Sequence, residues 1–124
     1  MILAFALRLW RIDAPLADWH SWRQSDTAAV ARNFIKFGFD PLRPRYDDLS
    51  NIQSGKDTPE GYRMVEFPLY QLIGAGIVRL VPSLSIEVGL RLITIVSVAA
   101  TTALLILMVS RFIDPLTGLL TGFI

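Results

Sequence analysis

The uncharged runs of this chain differ in length, and length decides what each can do. Residues 92–109 carry no charge and are bounded by Arg91 and Arg111. As a helix at 1.5 Å per residue they reach about 27 Å, close to the hydrocarbon thickness of a bilayer. This predicts a spanning helix over residues 89–111, whose Thr and Ser hydroxyls can bond back to the helix or across to a neighbour. Residues 67–78 are also uncharged, but Arg79 and then Pro82 follow. A helix of that length reaches only about 18 Å, the size of an interfacial or re-entrant segment. Burying Arg79 in lipid would cost at least about 2.5 kcal/mol, whereas on the membrane surface its side chain can snorkel to water. The expectation is a juxtamembrane helix over residues 67–81.

Both ends carry shorter apolar runs. Residues 1–7 are uncharged, with Arg8 and Arg11 directly after them, and residues 115–124 are uncharged to the last position. The first run is too short to span, and its charges follow the apolar stretch instead of preceding it as in a signal peptide. Residues 1–12 and 115–124 are therefore expected to be partial transmembrane helices, the chain being an N-terminal portion of a larger protein. Residues 13–88 then form one loop. Arg111 on the cytoplasmic side suits the positive-inside tendency, which puts that loop on the outer face.

Within the loop the pattern changes twice. Ser25-Asp26-Thr27 supplies helix-starting residues and Gly38 a stop. Val30, Phe34 and Phe37 recur at helical spacing, with Arg32 and Lys36 on another face, so residues 25–38 predict an amphipathic helix. From Phe39 to Tyr62 the prolines at 41, 44 and 59, Gly61 and the acidic pair Asp47-Asp48 predict an irregular, water-exposed loop. Pro68 suits the first turn of the second short helix, with Glu66 just ahead of its positive end.

Composition narrows the class. Hydrophobic residues make up 52% and charged residues 19% of the chain, the latter below the roughly 25% of ordinary soluble domains. The formal net charge of +1 comes without a basic stripe, which argues against a nucleic-acid partner. No cysteine and one histidine, His20, leave no disulfide framework and little basis for a zinc site. The fold class expected is all-α, a polytopic membrane protein.

Two acids lie near two expected helix starts, and one chemistry they could serve is transfer from a lipid phosphate. An enzyme that takes a sugar from a lipid phosphate needs a carboxylate to accept the proton of the incoming hydroxyl. It also needs cations or helix N-termini for the leaving phosphate. Asp26 fits the base, and Arg23, Arg63 and Arg91 are candidate phosphate partners. Each feature has a plainer use: Asp26 as a helix cap, Glu66 as a dipole complement, the arginines as solvated side chains. Trp10, Trp19 and Trp22 fit an interfacial aromatic belt as readily as a site.

The strings HSWRQSDTAAVARNF (residues 20–34), EFPLY (66–70) and GLRL (89–92) together resemble the start of GT-C membrane glycosyltransferases. They are most similar to glycosyltransferase family 39, which includes protein O-mannosyltransferases and lipid A aminoarabinose transferases. The resemblance covers nearly the whole chain. It implies that Asp26 is the catalytic carboxylate, that Glu66 lines the same site, and that Arg91 supports the site or the donor phosphate. Tyr70, at the end of the second motif, joins Arg23, Arg63 and Arg91 among the expected substrate-binding residues. The implied donor is a polyprenyl-phosphate-linked sugar, the acceptor a lipid, glycan or protein, and the location a bacterial inner membrane; no cofactor or metal is implied. Two positions depart from the family pattern. Thr27 follows Asp26 where many members have a second acid, and Phe67 stands where the aminoarabinose transferases have Lys. The alternative is a small non-catalytic membrane accessory or partner-binding protein; a transporter is less favoured, because no charge lies within residues 92–109.

Overall fold

A computed structural model describes residues 6, 9–16, 21–50, 55–62 and 66–122. Its elements are helices: α1 (Trp22–Phe37), α2 (Leu69–Leu80), α3 (Ile86–Phe112) and α4 (Pro115–Thr121). The only extended pairing among the described residues is an isolated antiparallel bridge, Arg45 to Tyr62. The chain divides into two compact units, residues 13–90 and residues 1–12 with 91–124.

In the first unit α1 begins a turn earlier than the polar triplet at 25–27 predicts. Ser21 stands at its N-cap without a side-chain capping bond, and the Ser25 amide donates to the Ser21 carbonyl at 2.8 Å. Nothing between Ser21 and Ser25 opposes a helix, since Trp, Arg and Gln all tolerate one. The stop is as expected at Gly38, whose φ of 105° is open to glycine and whose amide bonds the Phe34 carbonyl.

The buried face of α1 corrects the expected stripe. Ala28, Ala29, Val30, Ala31, Asn33 and Phe34 are buried, but Phe37 is 53% exposed. Asn33 turns inward instead, because its amide nitrogen finds the Arg45 carbonyl and Asp47 Oδ1, both at 3.0 Å. A buried amide so paired avoids the cost of an unsatisfied donor. The Phe37 ring lies under the cations of Lys36 (4.9 Å) and Arg45 (4.6 Å).

Helix α2 packs on α1 and buries Gln71, Gly74 and Ala75. Small residues on both helices permit a close approach. Pro68 is the N-cap, one position before the first turn, and the helix ends at Leu80 because Pro82 drives Val81 out of helical geometry (φ −128°, ψ 81°). Arg79, in the last turn, lays its guanidinium over the Phe39 ring at 5.3 Å. The irregular stretch between the helices is tied: the Tyr46 amide donates to the Gly61 carbonyl and the Gly61 amide to the Thr58 carbonyl, both at 2.8 Å.

Helix α3 starts at Ile86, ahead of the expected position 89. Ser85 supplies the start, its Oγ accepting from the Val88 amide at 3.3 Å. The helix has 27 residues and is the one helix among the described residues long and apolar enough to cross a membrane. Its length is about 40 Å at 1.5 Å per residue, and almost none of its apolar window is buried within the chain. Thr101 and Thr102 donate back to the carbonyls of Ser97 and Val98.

The second unit closes with α4 folded against the end of α3. Asp114 caps it, accepting from the Leu116 and Thr117 amides at 2.9 Å, with Pro115 at the helix start. Gly118 is buried, and a Cβ there would collide with Ser110 and the Ile106 carbonyl. The partial span expected over residues 1–12 falls largely outside the described residues.

Candidate functional site

The early start of α1 changes the standing of Asp26. Four helical residues, from Trp22 to Ser25, precede it, so it is not the cap of this helix. The residue is half-buried, and its carboxylate has no hydrogen-bond or ion-pair partner among the described residues. Thr27, which stands where a second acid was noted to be missing, turns its hydroxyl back to the Arg23 carbonyl at 2.8 Å.

Glu66 is drawn to the same helix. Its Oε2 lies 3.7 Å from Nη2 of Arg23, both side chains being more than half exposed. Residues three apart on a helix share a face, so Arg23 and Asp26 project from one side of α1. The ion pair thus brings Glu66 to the side of α1 that carries Asp26. Glu66 sits two residues ahead of the α2 N-cap, and the first turn of that helix holds no acidic residue. Its carboxylate engages a cation on α1, one turn from Asp26 in the sequence.

The other expected residues are placed differently. The Tyr70 hydroxyl donates to the Leu90 carbonyl at 2.7 Å, tying α2 to the first turns of α3. Arg91 belongs to the second unit, where its Nη1 donates to the Ile12 carbonyl. Arg63, Trp19 and His20 lie outside the described residues. Trp10 and Trp22 are exposed.

Two polar clusters were not foreseen. Arg32 reaches Asp47 (3.4 Å) and Glu87 (3.5 Å), joining α1 to the loop and to the start of α3. Arg45 donates to the Tyr62 hydroxyl at 2.7 Å and lies between the Phe37 and Tyr62 rings. The one signal in the sequence was the unusual density of charge and proline between positions 40 and 48.

No family model, no curated protein and no solved structure matches this chain.

Proposed function

We propose that this chain forms part of a GT-C-type membrane glycosyltransferase, moving a sugar from a polyprenyl-phosphate donor to a hydroxyl-bearing acceptor. The observation that carries this reading is the Arg23–Glu66 pair, which draws the second acid to the face of α1 that holds Asp26. Helix α3, long and apolar enough to cross a membrane, would supply the anchor.

In the proposed reaction the acceptor O–H gives its proton to the Asp26 carboxylate. The oxygen bonds to the anomeric carbon as the bond from that carbon to the phosphate oxygen breaks. The phosphate leaves with the electron pair, still attached to its prenyl chain. Arg23 supplies positive charge where negative charge gathers on the leaving group, and Glu66 holds that guanidinium in place. The resemblance in residues 20–34, 66–70 and 89–92 supports the same assignment. It favours a bacterial inner membrane, with residues 13–88 on the outer face and a lipid, glycan or protein as acceptor.

The test is transfer of radiolabel from polyprenyl-phosphate sugars to endogenous acceptors, in membranes containing the polypeptide that carries this sequence. Label moving into an acceptor only when that polypeptide is present supports the reaction. No transfer from any of a panel of such donors would favour the accessory-protein reading.

A further inference from the structure

A cavity of about 190 Å³ opens at the far end of α1 from Asp26, between the helix terminus and the tied loop. Its walls include Asn33, Phe37, Asp40, Arg43, Arg45 and Tyr62. Arg45 is held there between two rings and bonded through one nitrogen to the Tyr62 hydroxyl. A guanidinium carries five N–H donors in a fixed fork, so most remain to be given. The Tyr62 oxygen accepts from Arg45, which leaves its own proton to donate. Arg43 is exposed and has no acidic partner among the described residues.

The acceptors in the wall are fewer. Asp40 Oδ1 takes the Leu42 amide at 3.1 Å, leaving its second oxygen. Both amide hydrogens of Asn33 are committed, so only its carbonyl oxygen is offered. Two guanidinium groups against one carboxylate favour a ligand with a single oxyanion. The remaining acceptors favour hydroxyl groups on its body. The volume is below the roughly 300 Å³ at which drug-sized pockets begin, which limits the occupant to about one ring.

We propose that this cavity binds a monosaccharide-sized ligand carrying one phosphate or carboxylate, gripped by Arg43 and Arg45. The inference does not rest on the transfer reaction. Arg45, already placed between two rings and bonded to Tyr62, binds such an oxyanion through charge-assisted bonds at a reduced ordering cost, and Arg43 adds a second positive charge.

Calorimetric titration of the full chain in detergent, with glucose 6-phosphate, glucuronate, glucose and inorganic phosphate, tests it. Saturable binding is expected for at least one of the two anionic sugars, which also decides between phosphate and carboxylate. Glucose and inorganic phosphate should each bind at least about tenfold more weakly. Arg43→Gln, which removes no contact the fold uses, should weaken the anionic sugar by about tenfold or more, and Arg45→Lys likewise, since it keeps the charge but loses the fork. Absence of saturable binding by both anionic sugars overturns the proposal. So does inorganic phosphate or glucose binding as well as they do, or an unchanged titration in Arg43→Gln.

Discussion

The guanidinium of Arg23 and the carboxylate of Glu66 meet at 3.7 Å, joining the second residue of α1 to the segment that leads into α2. The pair is exposed to solvent, where ion pairs contribute little to stability. Its consequence is positional, since it holds Glu66 to the side of the helix from which Asp26 projects.

That distinction separates two measurements. Arg23→Gln and Glu66→Gln should each change unfolding stability by less than about 1 kcal/mol. In a transfer assay each should lower turnover at least about tenfold, equivalent to about 1.4 kcal/mol of transition-state stabilisation. A thermal melt beside the assay distinguishes the effects. Full activity in both variants would reduce the pair to a surface contact.

The loop between α1 and α2 offers a test of local structure. Gly61 has φ +66°, and a Cβ there would collide with the Tyr46 carbonyl oxygen. Gly55 has a similar φ, +69°, but open space around it. Gly61→Ala should therefore cost more than the about 1–2 kcal/mol of left-handed strain that Gly55→Ala carries alone. Hydrogen exchange at the Tyr46 amide, which donates to the Gly61 carbonyl, should accelerate in the first variant and not in the second.

These contrasts show what a single sequence makes legible. The long apolar run announced α3 because an uninterrupted stretch of that length has few other uses. Gly38 and Pro82 announced helix ends for opposite reasons: glycine reaches backbone angles that other residues avoid, and proline restricts the residue before it. The starts were harder to read. Helices α3 and α1 both begin earlier than their charged and polar residues indicated, α3 at a Ser85 cap and α1 at Ser21 without one, and the shift at α1 takes Asp26 out of the cap position. Phe37 left the buried stripe that periodicity gave it, and Asn33 is buried. Their partners, Asp47 and Arg45, come from a distant loop, and helical spacing carries no information about such contacts. The meeting of Arg23 with Glu66 is likewise a tertiary fact.

Leu104, 65% exposed on α3, probes the span. Replacing it by Arg should disfavour insertion by about 3 kcal/mol if this stretch lies in the bilayer core. Alkaline extraction of membranes should then release the variant and retain the parent chain. Equal retention would remove α3 from the hydrocarbon.

The capping aspartate of α4 gives a pH dependence. The Thr117 hydroxyl and then the Thr117 amide hold the Asp114 carboxyl below its ordinary value of 3.8, against an opposing effect of desolvation and with further help from the Leu116 amide. A carboxyl whose folded value is depressed adds stability above its unfolded value and loses it as pH falls through the folded one. The Leu116 and Thr117 amide signals should hold steady down to about that ordinary value and shift only below it. In Asp114→Asn the acid-dependent shift should be absent.

Sugar transfer by an Asp26→Asn variant bears most directly on the proposed chemistry. The substitution keeps size and polarity and removes the group that accepts the proton. In membranes holding equal amounts of inserted polypeptide, transfer from a polyprenyl-phosphate sugar should fall by at least about a hundredfold, within the range for loss of a general base. Turnover equal to that of the unmodified chain would show that Asp26 does not carry the reaction.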